Sequence, residues 1–153
     1  MNKTSLAECE EQKLEEGGFA FRRKRLGMAA GGKGIGVSWF ELQPGKKSFP
    51  HHYHLANEEA VFVLEGEGVL RLGDEEHRIR AGDYVAFPAG PPAHQIFNRS
   101  QAPLRFLALS TMLEPEIAVY PDSKKVGVLS RRHGITSVHR QDDAVDYYEG
   151  EKK

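Results

Sequence analysis

With 153 residues, 39% of them hydrophobic and 28% charged, the chain has the size and balance of one folded domain with a sizeable core. Its net charge of −1 gives no general drive toward nucleic acid or a membrane surface, and no apolar run reaches the length of a membrane span. A single cysteine, Cys9, excludes an intramolecular disulfide, and the polar start predicts no signal peptide, so a reduced, cytoplasmic setting is expected.

Residues 4–16, TSLAECEEQKLEE, read in two ways. One is a helix opening at Thr4 or Ser5, with acidic early turns and a thin stripe of Leu6, Cys9 and Leu14. The other is an extended acidic tail. Gly17-Gly18 ends this N-terminal extension, taken as residues 1–18.

Strand-length segments follow from Phe19. FAFRRKRL is the first, and its RRKR run, Arg22 to Arg25, is the one dense basic cluster. It is expected at a solvated strand edge, where charge discourages aggregation; the functional alternative is contact with a phosphate or acidic ligand. AAGGKGIG lacks the spacing of a phosphate-binding loop or a dinucleotide fingerprint and is expected to be a hairpin loop. VSWFEL, HHYHL, EAVFVLEGEGVLRLGDEEHRI, AGDYVAFPAGPPAHQIFN and PLRFLALST continue the series, with turn signals every 8 to 12 residues or so, the rhythm of a sandwich or barrel. After Met112 the pattern loosens. EPEIAVYPDSKKVGVLSRRHGITSVHR is expected to add short strands. QDDAVDYYEGEKK, with Val145, Tyr147 and Tyr148 as anchors, is expected to be an arm over the barrel or a partner subunit.

HHYHLANEE carries the chemistry. His52 and His54 are two apart, so on a strand both imidazoles project to one face. With Glu59, and with His94 after FPAGPPA, they make a His/His/Glu/His set of mixed N and O donors suited to a divalent metal. His51 and His77 are expected to face solvent. Glu58 competes with Glu59 for the carboxylate position.

The stretch GKKSFPHHYHLANEEAVFVLEG, followed by GDYVAFPAGPPAHQIFN, resembles the two signature motifs of the cupin superfamily. Gly45, His52, His54, Glu59 and Gly66 match the first, with four residues between His54 and Glu59 and six between Glu59 and Gly66. That second spacing favours Glu59 over Glu58. Gly82, Pro88, Gly90, His94 and Asn98 match the second. The Gly45 to His52 and Gly90 to His94 spacers are each one residue longer than the common form.

The resemblance, to small bacterial single-domain cupins of which some are labelled sugar-phosphate isomerase-like, implies an all-β fold. That fold is a double-stranded β-helix, or jelly-roll, with the barrel at residues 19–112 and a C-terminal extension at residues 113–153 packing on it. It implies one divalent transition metal, Zn, Ni, Fe, Mn or Cu, on His52, His54, Glu59 and His94. It further implies a small polar ligand (a sugar, sugar phosphate or organic acid) and a homodimer, with neither nucleic acid nor membrane as partner. A metal-dependent isomerase or dioxygenase and a non-catalytic sensor or storage barrel both remain open. A second titratable pocket residue would separate them, and Tyr84, Gln95 and Arg105 are the candidates. Phe62, Phe87, Ile96 and Phe106 are expected on strands near the pocket.

Overall fold

The computed structural model describes residues 2–151. Its strands are β1 (Glu11–Glu16), β2 (Phe19–Lys24), β3 (Ile35–Leu42), β4 (Tyr53–His54), β5 (Glu59–Glu65), β6 (Glu67–Leu72), β7 (Glu75–Arg80), β8 (Tyr84–Phe87), β9 (His94–Phe97), β10 (Leu104–Thr111), β11 (Glu116–Tyr120), β12 (Lys125–Ser130) and β13 (Ile135–Arg140). All named strand pairs are antiparallel. The fold is the expected all-β jelly roll.

One layer is a six-stranded sheet in the order β1-β2-β3-β10-β5-β8. The other combines β7-β6-β9 with β13-β12-β11-β4. A bridge between His52 and His94 joins these two groups. Alternation along β5 fixes which face is inward: Val61 and Val63 are buried while Phe62 and Leu64 are exposed. Between the layers lie Phe21, Phe40, Leu42, Val61, Val63, Leu70, Ile79, Phe87, Ile96, Leu104 and Phe106. Phe40 and Phe106 stack at 5.2 Å, and each buried side chain of this size contributes about 1.5–3 kcal/mol. Gly66 turns β5 into β6 at φ +85°, with the Pro103 carbonyl so close that a Cβ would meet it at 2.7 Å.

Three expectations change. Residues 11–16 form a strand rather than a helix, because each pairs across to β2, from Glu11 opposite Lys24 to Glu16 opposite Phe19. That pairing takes β2 off the sheet edge, so RRKR is not an edge, and β3 is interior as well. The C-terminal strands form, but Val145, Tyr147 and Tyr148 are exposed rather than packed as anchors on the barrel. The AAGGKGIG segment is a loop, with one helical turn, α1 (Leu26–Ala29), at its start. Among the described residues no helix is long and apolar enough to cross a membrane.

Candidate metal centre

The site is built where three strands meet. Strand β4 is short, yet it is held on both sides. Tyr53 and His54 pair with Val119 and Ala118 of β11, and His52 exchanges both backbone hydrogen bonds with His94, at 3.2 and 2.8 Å. Glu59 opens β5 on the facing sheet.

This scaffold sends three imidazole nitrogens to one carboxylate oxygen. Glu59 Oε2 lies 3.9 Å from His52 Nε2, 3.4 Å from His54 Nε2 and 3.2 Å from His94 Nε2. Ligand atoms of His52, His54 and Glu59 all lie within 4.8 Å of one another. His94 joins this cluster through Glu59 and through its ring, 4.7 Å from that of His52. His94 Nε2 reaches Glu59 Oε2 but lies outside the group of three whose ligand atoms are all within 4.8 Å of one another.

Each ring is held from behind. His52 Nδ1 lies 2.8 Å from the Pro50 carbonyl, an acceptor only, so Nδ1 carries the hydrogen. Burial, together with the neighbouring His94, pushes the His52 pKa down to about 4, so the ring is neutral near pH 7. The Nε2 lone pair of His52 then faces a carboxylate oxygen at 3.9 Å, acceptor against acceptor. A cation bound at about 2.0–2.2 Å from each would resolve that opposition.

Behind His54 stands Glu116, whose Oε2 is 3.6 Å from Nδ1, within ion-pair range but longer than a hydrogen bond. Burial disfavours charge on His54, but Glu59 in contact and Glu116 beyond outweigh it and raise its pKa. Glu59 has the reverse balance. Burial would raise it, while His54 and His94 hold it well below the usual carboxylate range. Phe87 stacks on His94 at 3.9 Å, nearly parallel, and His94 Nδ1 is buried without a hydrogen-bond partner. Its hydrogen in this arrangement therefore belongs on Nε2, donated to Glu59.

The cluster lies in the wall of a cavity of about 250 Å³ inside the barrel. His52, Glu59 and His94 line it, with Phe40, Phe49, Phe87, Ile96 and Phe106 as apolar wall. Phe62 instead points outward and is exposed. Of the three candidates for a further pocket group, only Gln95 reaches the cavity, where its amide donates to the Phe49 carbonyl. Tyr84 is exposed, and Arg105 is spent on the outer face in ion pairs with Glu41 and Glu65. His77 is exposed, as expected, but His51 is buried and pairs with Asp122 at 3.1 Å. Glu58 is exposed and outside the cluster.

Two further residues of the site stand apart from the sequence-predicted set: Glu116, which no local signal marks, and Arg23, which lies in the basic run expected mainly at a solvated edge. Glu116 meets the metal-motif loop only through the β11–β4 pairing. Arg23 lines the cavity although its neighbours Arg22 and Lys24 do not, which is the alternation of a strand whose faces the basic run had hidden.

Residues 38–110 match the cupin domain family. Along its whole length the chain resembles a protein of Silicibacter pomeroyi named sugar phosphate isomerase from a cupin superfamily. Identity is 33%, coverage 96% of this chain and 98% of that one, and the TM-score 0.83. The chain belongs to the cupin family.

A second cupin structure, from Acidithiobacillus ferrooxidans and provisionally named a sugar phosphate isomerase, aligns with TM-score 0.85 and 27% identity over 95% of this chain and 96% of that one. In sequence the cupin is also 36% identical over 59 residues to an uncharacterised protein of Methanocaldococcus jannaschii, 39% of this chain and 46% of that one. It spans about half the length of the curated relatives it matches.

Proposed function

We propose that this cupin holds one divalent transition metal on His52, His54, Glu59 and His94 and binds a small polar metabolite there. The metabolite classes are a sugar, a sugar phosphate or an organic acid. The observation that carries the reading is the neutral His52, whose Nε2 faces Glu59 Oε2 with its other nitrogen committed to Pro50. Three imidazoles and a carboxylate suit Zn, Ni, Fe, Mn or Cu. Such an ion, when bound, supplies Lewis acidity toward a hydroxyl, carbonyl or carboxylate oxygen.

The chain's own groups orient and enclose. Pro50 fixes the His52 tautomer, Phe87 the plane of His94, and the phenylalanines give the cavity an apolar wall. The sugar phosphate isomerase names of two full-length structural relatives support a metabolite of that kind. Metal-loaded protein should show a thermal shift with sugar phosphates, keto acids or dicarboxylates; no shift with any of them would count against the reading.

A second reading, a non-catalytic sensor or storage barrel, is favoured by one observation. Beyond the four proposed ligands, the sole ionisable group among the described cavity-lining residues is Arg23, which cannot serve as a general base near neutral pH. Turnover assays on any ligand found by thermal shift separate the two. The proposal includes a homodimer in a cytoplasmic setting, with exposed Tyr147, Val145 and Ile135 suited to an interface. Light scattering at micromolar concentration showing a monomer would reject the dimer.

A further inference from the structure

Among the described cavity-lining residues, Arg23 is the one charged side chain outside the proposed ligands, and it enters from β2 of the six-stranded sheet that also carries Glu59. Its guanidinium lies over the Phe40 ring at 5.3 Å, and its Nε donates to Ser38 Oγ at 3.2 Å. These two contacts fix the plane of the fork. Among the described residues the terminal amino groups, with four N–H bonds, have no acceptor and no carboxylate within ion-pair range. The contrast with the rest of the basic run is sharp. Arg22 pairs with Glu11 at 2.6 Å and Glu41 at 3.1 Å, and Lys24 donates to the Leu6 carbonyl.

We propose that Arg23 recognises the anionic end, carboxylate or phosphate, of the metabolite whose oxygenated end meets the metal centre. This deepens the reading above and rests on it for the metal end alone. An arginine fork presents parallel N–H donors that match the two oxygens of a carboxylate or phosphate. Neutral sugars offer it no such partner and are excluded as the preferred ligand. At about 250 Å³ the cavity is smaller than the usual site for a drug-sized ligand, so the molecule is small.

The surrounding field agrees. Burial first, and then the charge of Arg25, lower the Arg23 pKa to about 10, with Arg131 acting in the same sense and Glu59 in the opposite one. The group stays charged at neutral pH, in a positive environment whose natural complement is an anion. Phe40 and Ser38 sit on β3 beside β2, with Phe40 opposite Arg23 in register, so the fork is carried by paired strands rather than a loop.

The test is calorimetric titration of metal-loaded and metal-free protein with matched probes: fructose 6-phosphate against fructose, and lactate against lactamide. Wild type should bind at least one anionic probe about tenfold or more tighter than its neutral partner. Arg23→Gln should lose about tenfold or more of that affinity and leave the neutral partner unchanged, with metal content intact. Arg23→Lys should recover part of it. The phosphate and carboxylate pairs show which anion the fork prefers. On wild type, the Arg23 Nε–H resonance should shift on adding the anionic probe and not the neutral one, a readout independent of whether a variant folds.

No anionic preference in wild type, equal binding by Arg23→Gln, or an unmoved resonance overturns the proposal. Protein that takes up no metal yet binds anions through Arg23 would contradict the metal reading and leave the arginine assignment standing. Metal uptake with anion binding indifferent to Arg23 would do the reverse.

Discussion

His52 and His94 face each other as a bonded backbone pair, each donating its N–H to the other's carbonyl. Two residues from separate motifs are thus set by strand register, and their rings meet at 4.7 Å. The bridge also joins the two parts of the second layer, so the site and the closure of the barrel depend on the same contact.

Glu116 is the buried support of the loop that carries His54 toward Glu59. Its carboxylate accepts backbone N–H groups of Leu55, Ala56, Asn57 and Ile117 and lies 3.6 Å from His54 Nδ1. Glu116→Gln places an amide donor against those donors. Hydrogen bonds to a charged group count for more than neutral ones, so a loss of about 3 kcal/mol of stability is expected in denaturant titration. Metal affinity should fall about 10–100-fold, as for other partners behind a ligating histidine. Unchanged affinity would show that Glu116 supports the loop alone.

Phe87 fixes His94 by stacking and fills the core beside it. Phe87→Ala should cost about 3–5 kcal/mol, the range for deleting a buried phenylalanine. The same change frees the His94 ring, so metal should be held more weakly than the stability loss alone explains. Equal metal dissociation constants for wild type and folded Phe87→Ala would contradict this.

Acid should destabilise the metal-free protein through His52. Its pKa is about 4 when folded against an ordinary 6.5, because burial and then His94 disfavour the charged ring. Between those values the unfolded chain binds a proton that the folded chain does not, so this contribution is full above pH 6.5 and fades as pH falls toward 4. Glu59, held low by His54 and His94 against burial, adds a loss below its ordinary 4.5. His54 opposes both, since its raised pKa favours the folded state below 6.5. The expected net result is a melting temperature that falls on acidification from pH 6.5 to 4, with a shallower slope in His52→Gln. An equal slope in that variant would remove His52 as the cause.

Metal uptake near pH 6.5 should release protons, because His54 is held partly protonated by Glu59 while a ligating imidazole must be neutral. Calorimetry in buffers of different ionisation enthalpy reads this directly. An apparent enthalpy independent of the buffer would contradict it.

Much of the fold and the centre was legible because it rests on local rules. Strand alternation puts His52 and His54 on one face and turn glycines divide the strands, while the resemblance to the cupin motif, with six residues to Gly66, favours Glu59 over Glu58. What was hidden depends on pairing, in one case within the β1–β2 hairpin across Gly17-Gly18 and in the others between distant segments. The acidic run at residues 11–16 becomes a strand only because β2 lies beside it. That same strand removes RRKR from the edge and lets alternation turn Arg23 inward while Arg22 meets Glu41. His51 is buried and meets Asp122, in the helical turn that follows β11. Glu116 and Asp122 lie far along the chain from the residues they meet, whereas β1 meets β2 directly across Gly17-Gly18.

Metal content tests the central claim most directly. Purified protein, stripped and reloaded in turn with zinc, manganese, iron and nickel, should retain close to one equivalent of at least one of these per chain. His54→Ala, folded by circular dichroism, should lose most of it, and the exposed His77→Ala should keep it. Full occupancy in His54→Ala, or wild-type protein that retains none of the four metals, would contradict the account.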